Sequence, residues 1–195
     1  MDILHSLTSA FNPKAVAVVG ASDRPGSRGS FVWSGVMNGR RVHEAYPVNP
    51  KYKYIGVTSC WPSLSEVPAK IDLAVFATPS SKIEGLLKEC KKLAIPNVLI
   101  TPGDEELTAD RRWRERIAQM AREAGIRLIG PDSMGIMRPS IGLNVSYWPH
   151  LAQTGSIGLL CQSGAVTAAV LEYADRSGIG FSTVISSGLE SDWFR

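Results

Sequence analysis

The stretch "KAVAVVGASDRPGSRGS", residues 14–30, decides the fold. A short Val-rich apolar run, "AVAVVG" (15–20), stops at Gly-Ala-Ser and gives way to a loop of Gly, Ser, Arg and Pro. A run this short, bounded by turn residues, reads as a buried strand. Next comes "SRGSFVWSGVMNGR", a helix with Phe31, Val32, Gly35 and Val36 on one side. The loop between them leads into a helix N-terminus, where free N–H groups and the helix dipole favour an anion.

Outward from that stretch the alternation repeats. "AYPVNP" (45–50) is a second, shorter strand closed by Pro50, which cannot continue a sheet ladder. "IDLAVFATP" (71–79) is the strongest strand pattern, and Ser81 with Glu84 has capping-box spacing for a helix running to about Ala94. "NVLITPG" (97–103) is the next strand. A helix over 108–124 then places Trp113, Ile117, Met120, Ala121 and Ala124 on one face, and "IRLIGP" (126–131) is the fifth strand. Buried strands alternating with amphipathic helices mean right-handed βαβ units, so residues 10–150 are expected to form an α/β domain with a doubly wound parallel sheet.

After a polar and aromatic connector, "GLNVSYWPHLAQTGS", the pattern restarts with strand "SIGLLCQ", a helix over 164–177 and strand "FSTVISSG". One βαβ unit over 154–195 is too little to bury a core of its own. By itself it is a two-strand stub with an exposed edge, expected to be covered by a second copy of the chain or else to be mobile.

Composition narrows the function classes. The 195 residues are 44% hydrophobic and 20% charged, as in ordinary globular proteins. A net charge of +3 with scattered basic residues does not suggest nucleic acid binding. The start, "MDILHSLTSAF", lacks the pattern of a signal peptide, and no apolar run suits a membrane helix. Cys60, Cys90 and Cys161 are odd in number and far apart, which fits neither a disulfide framework nor a zinc knuckle. A reducing cytoplasm and no metal site are expected. The basic run "RRWRER" (111–116) reads as a solvated helix face balanced by Glu105, Glu106 and Asp110.

Ligands of open parallel sheets bind at the carboxyl ends of the strands, so the residues that follow each strand are the candidates. The first strand leads to Gly20, Ala21, Ser22, Arg24, Gly26, Ser27 and Arg28, and the second to Asn49, Pro50 and Lys51. The next two lead to Thr78 and Pro79, then Thr101 and Gly103, and "IGPDSMG" after the fifth supplies Asp132 and Ser133. A dinucleotide fingerprint would need glycine where Ser22 and Pro25 stand, and an acid where the second strand ends in "VNPKY". Plain NAD is disfavoured on both counts. A cation there suits a phosphorylated ribose, which leaves NADP open. The plainer readings are a strand-to-helix turn at Gly20 and a solvated lysine at Lys51, which gains weight only from its place after the second strand.

The strings "VAVVGAS", "PVNPKY", "VFATPS", "LITPG", "IGPDSMG" and "CQSGA", in that order, resemble the CoA-binding α-type part of NDP-forming acyl-CoA synthetases. Succinyl-CoA synthetase α subunits and the synthetase-like half of bacterial protein lysine acetyltransferases are relatives. The resemblance implies a Rossmann-like CoA-binding domain over 10–150 and the start of a flavodoxin-like domain over 154–195. It also implies that Gly20, Ser22 and the Ser27–Arg28 turn hold CoA phosphates, with Ala21, Arg24 and Gly26 among the CoA-binding residues. Lys51, after Asn49 and Pro50, would lie beside the ribose phosphate or adenine. Thr78 and Pro79 would line the nucleotide or pantetheine path, and Thr101 and Gly103 after the next strand are expected among the CoA-binding residues. The Asp132–Ser133 loop would lie near the thiol end, and Ser163 and Gly164 would face a transferred phosphoryl group.

The family joins an acyl group to CoA through an acyl phosphate and a phosphohistidine, with an ATP-grasp β-type subunit or domain as partner. His5, His43 and His150 match no such histidine. The chain is therefore expected to be a CoA-binding module that is not catalytically complete. Alternatives are a non-catalytic CoA or acyl-CoA sensor, the CoA-binding part of a protein acetyltransferase, and an NADP-dependent oxidoreductase. Two departures stand out: Asp132 where the family loop usually has Asn, and Cys161 where Ser is common. A carboxylate at 132 would repel a nearby phosphoryl group unless protonated or turned away. Cys161 precedes a helix N-terminus, a place that can lower a thiol pKa, though a small buried residue at a strand end is the plainer reading.

Overall fold

The computed structural model describes residues 8–39, 44–103 and 105–189. His5 and His43 fall outside these residues.

Five parallel strands form the main sheet: β1 (Ala15–Val19), β2 (Glu44–Val48), β5 (Leu73–Phe76), β6 (Asn97–Ile100) and β7 (Arg127–Ile129). Their order is β2-β1-β5-β6-β7. A short hairpin, β3 (Tyr54–Ile55) with β4 (Thr58–Ser59), follows β2. The helices are α1 (Arg28–Asn38), α2 (Ile83–Lys92), the short α3 (Glu105–Ala109) and α4 (Arg111–Glu123).

Burial on both faces explains the continuous apolar strands. In β1, Ala15, Ala17 and Val19 pack toward α2 and α4 with Leu87, Ile117 and Trp113, whereas Val16 and Val18 pack toward α1 with Val32 and Val36. The sidedness is the period of two that strand geometry imposes. Pro47 sits inside β2, which is tolerated because β2 is the outermost strand.

Two local expectations need correction. Ser81 and Glu84 form no capping box: a 3-10 turn over Ser80–Lys82 enters α2, and no side chain caps the helix. The helix expected over 108–124 is divided. Asp110 adopts an extended backbone conformation and accepts from the Arg112 N–H at 2.9 Å, so it ends α3 and caps α4.

The chain's last segment corrects more. The aromatic connector contains a strand, so a second sheet forms from β8 (Gly135–Arg138), β9 (Leu143–Ser146), β10 (Thr154–Cys161) and β11 (Phe181–Ser186). Its order is β10-β11-β8-β9, with β10 and β11 parallel and the other pairs antiparallel. The expected two-strand stub is thus four strands, because β8 covers the inner edge of β11. Helix α5 (Gly164–Ser177) crosses over between β10 and β11, and Leu171 and Ala174 meet Phe181, Val184 and Met137 beneath it. The outer edge of β10 is unpaired among the described residues, with Ile157 and Leu160 about half exposed. Among the described residues no helix is long and apolar enough to cross a membrane.

Candidate functional site

The strand order reverses between β1 and β5: the chain runs outward to β2 from one and to β6 and β7 from the other. Such a switch point opens a crevice at the carboxyl ends of the strands. A cleft of about 940 Å³ lies there, bordered by the loops after β1, β2 and β5 and by α2. Its size is near the top of the roughly 300–1,000 Å³ usual for ligand pockets.

Gly20 ends β1 with φ +88°, and a Cβ on it would lie 2.6 Å from the Ala77 carbonyl oxygen. Glycine is therefore required both by backbone conformation and by the approach of β5. Beyond it the chain is tied down by its own polar groups. Ser22 Oγ accepts from the Arg24 N–H at 3.0 Å and lies 3.3 Å from the Tyr52 hydroxyl. Ser27 caps α1, accepting from the Ser30 N–H at 3.2 Å. Asn49 donates through Nδ2 to the Ala21 carbonyl at 2.8 Å and accepts through Oδ1 from the Lys51 N–H at 3.0 Å. One amide thus holds the loops after β1 and β2 together.

Eleven of the residues read from sequence line this cleft: Gly20, Ser22, Arg24, Gly26, Ser27, Arg28, Asn49, Pro50, Lys51, Thr78 and Pro79. Others support it from behind. Ala21 is fully buried. Thr101 donates its hydroxyl to the Phe76 carbonyl at 2.9 Å, and Gly103 accepts from the Arg28 guanidinium at 3.1 Å. Sequence reasoning missed the far wall, made by Pro62, Ser63, Leu64, Lys82, Gly85, Leu86 and Glu89. A glycine inside a helix costs about 1 kcal/mol relative to alanine, so Gly85 was the available sign.

The cleft is positive. Among the described residues, Arg24, Arg28, Lys51 and Lys82 border it against one carboxylate, Glu89, and the N-terminus of α1, the positive end of the helix dipole, lies in the same region. The Thr78 hydroxyl oxygen is buried in this wall without a hydrogen-bond partner.

A second cleft, of about 560 Å³, gathers Asp132, Tyr147, Ser163 and Gly164 with Pro102, Gln162 and Gly188. Ser163 caps α5, accepting from the Val166 N–H at 3.3 Å. Asp132 adopts φ +61°, a left-handed conformation that Asp and Asn both tolerate better than other side chains. That backbone demand accounts for an Asp where the resembling family has Asn. Ser133 lines neither cleft. It is fully buried, donates to the Ser186 carbonyl and accepts from the Gly135 N–H at 3.0 Å. Burial pushes the Tyr147 phenol up to about 12, against smaller opposing pulls from Arg28 and Thr101. Cys161 is partly exposed and donates to the Ser163 carbonyl at 3.5 Å. His150 is exposed and borders neither cleft. Among the described residues no cluster of His, Cys, Asp and Glu could hold a metal ion.

Comparison with known proteins settles the family. Residues 14–139 match the CoA binding domain, and residues 154–193 match the succinyl-CoA ligase like flavodoxin domain. The chain belongs to the CoA-binding domain family. It is 34% identical over 180 residues to the ADP-forming acetate–CoA ligase I of Archaeoglobus fulgidus, covering 91% of this chain and 26% of that one. With the α subunit of the Pyrococcus furiosus ADP-forming acetate–CoA ligase I it shares 31% over 193 residues, 96% of this chain and 42% of that one. The fold matches the dinucleotide-forming acetyl-coenzyme A synthetase 1 of Ca. Korarchaeum cryptofilum in its apo form. There the TM-score is 0.91 at 30% identity, over 97% of this chain and 41% of that one. The chain spans between about a quarter and two-fifths of the length of these relatives.

Proposed function

We propose that this chain is the CoA-binding module of an NDP-forming acyl-CoA synthetase. That enzyme converts acyl-CoA, phosphate and a nucleoside diphosphate to acid, CoA and nucleoside triphosphate, through an acyl phosphate and a phosphohistidine. The observation that carries the reading is the cleft at the β1/β5 switch point. Its glycine-bearing floor, capped helix and four bordering cations suit a ligand with several phosphates.

In this reading CoA supplies the thiol that accepts or releases the acyl group. The loop from Gly20 to Arg28 takes its diphosphate through backbone N–H groups and the Arg24 and Arg28 side chains. Lys51 takes the ribose phosphate. Thr78, with its unpartnered hydroxyl oxygen, and Pro79 border the pantetheine path. The second cleft, at the N-terminus of α5, takes the phosphoryl end of the reaction, with Ser163 and Gly164 presenting N–H groups. Among the described residues no histidine borders either cleft, so the phosphohistidine is assigned to a segment other than those described. An ATP-grasp β-type subunit or domain is the companion, and the unpaired edge of β10 is a surface left for further chain, a second copy included. Three free cysteines, two of them buried, support a reducing cytoplasm as the setting.

Calorimetric titration tests the assignment. CoA should bind at micromolar concentration and NADH should not compete. NADH binding as tightly as CoA and displacing it would overturn the CoA reading, whereas displacement by NADPH alone would support an NADP-dependent oxidoreductase.

A further inference from the structure

Tyr147 follows β9 and packs against two cores, the one beneath α1 and the one beneath α5. Its backbone N–H donates to the Met134 carbonyl at 2.8 Å, and its ring meets the Phe31 ring with centroids 5.8 Å apart. The residue lines the second cleft, yet its hydroxyl is buried and has no hydrogen-bond partner. Thr101 and Arg28 are its polar neighbours, and both donate elsewhere. Thr101 donates to the Phe76 carbonyl at 2.9 Å and Arg28 to the Gly103 carbonyl at 3.1 Å. A buried hydroxyl without a partner is costly, whereas phenylalanine would fill the same place without that cost. Arg28 borders the first cleft and Tyr147 the second, so the hydroxyl stands at the junction of the two.

We propose that the Tyr147 hydroxyl donates to the thioester carbonyl oxygen of bound acyl-CoA at this junction. The inference rests on the CoA-binding reading above. With the diphosphate at α1 and the phosphoryl end at α5, the thioester falls between them. Nothing in the protein holds the hydroxyl in place, so a turn of the partly exposed ring brings it to the ligand. Burial pushes the phenol up to about 12, which keeps it a donor at neutral pH. In the step it serves, an oxygen of hydrogen phosphate attacks the carbonyl carbon. The C–O bond forms, the C–S bond breaks, the sulfur leaves with the electron pair, and the proton of the phosphate ends on the thiol. Negative charge gathers on the carbonyl oxygen during the attack, where a positioned donor stabilises it. The phenol keeps its own proton throughout.

Tyr147→Phe keeps the ring and removes only the hydroxyl. By calorimetry, wild-type protein should bind acetyl-CoA about three- to tenfold more tightly than S-ethyl-CoA, a thioether that lacks the carbonyl. The variant should bind the two alike, and both proteins should hold free CoA equally. Isotope-edited infrared spectroscopy should find the thioester carbonyl band of bound acetyl-CoA at lower frequency in wild type than in the variant. The urea midpoint of the variant should not fall, because the hydroxyl holds no other group of the protein. The same preference in both proteins, an unshifted carbonyl band or a lowered midpoint would each overturn the proposal and leave the CoA reading standing. If wild type binds neither CoA nor acetyl-CoA, the CoA reading fails and this one with it.

Discussion

Substituting Gly20 and Gly26 by alanine, one at a time, separates two costs that usually arrive together. Both residues have left-handed backbones, with φ +88° and +74°. For any L side chain that conformation costs about 1–2 kcal/mol. At Gly26 nothing lies within 4 Å of the added methyl group, so Gly26→Ala should lose only that amount. At Gly20 the methyl would stand 2.6 Å from the Ala77 carbonyl oxygen and 2.9 Å from Thr78 Cγ2. Relief requires moving the end of β5, and overpacking of this kind adds about 1–3 kcal/mol. Gly20→Ala should therefore cost about 2–5 kcal/mol, a large part of the 5–15 kcal/mol usual for a domain. Both changes also stiffen the unfolded chain, which returns about 0.4–1 kcal/mol to each and leaves their difference intact. Urea unfolding reads the result directly: the Gly20→Ala midpoint should fall by about 1–2 M, with the slope unchanged. Equal losses for the two variants would refute the steric half of the argument.

Lys51→Ala should weaken CoA about tenfold or more, since a hydrogen bond to a charged group is worth roughly 1.5–3 kcal/mol. Titration with dephospho-CoA should show almost no change, and an equal loss for both ligands would move Lys51 away from the ribose phosphate. Ser133→Ala removes the buried hydroxyl that joins β8 to β11, leaving the Ser186 carbonyl without that donor. It should cost about 1–3 kcal/mol in urea unfolding without altering CoA affinity. Burial, with Glu89 adding to it, pushes the Cys90 thiol from 9.0 up to about 12. Because the folded form holds its proton more tightly, this contribution to stability is complete below about pH 9 and is lost as pH rises toward 12. Tyr147, pushed from 10.0 up to about 12, acts in the same direction. Stability should thus decline across alkaline pH, and Cys90→Ala should flatten the first part of that decline. An unchanged slope would place the titrating group elsewhere.

The main sheet was legible because β1, β5 and β6 are buried on both faces and their composition shows it. The loops after these strands were legible for the same reason, since strand ends fix where a ligand can sit. The second sheet was hidden. In β9, Leu143 and Val145 alternate with Asn144 and Ser146, which are buried yet polar, with Ser146 Oγ donating to Asn144 Oδ1 at 2.6 Å, so a strand buried on both faces shows no continuous apolar run. The α2 wall leaves no mark in the apolar periodicity of the sequence. Lys82, Gly85 and Glu89 share a face that carries no hydrophobic pattern. The position of Ser133 after β7 suggests a ligand contact, while its hydroxyl donates to the Ser186 carbonyl of β11.

The β8–β9 hairpin lies before residue 150 in sequence but is hydrogen-bonded to β11, the last strand of the described residues. This makes residues 135–146 and 181–186 a single unit of inheritance. A recombination that exchanged everything after residue 150 would have to bring a β11 that seats Val184 against Met137, Ile185 against Ile136 and Ser186 against Gly135. Gly135 admits no other residue there, since a Cβ would strike the backbone of Val145 and Ser146. The two segments can therefore diverge in their clefts and outer faces, but along this seam a change in one must be answered in the other.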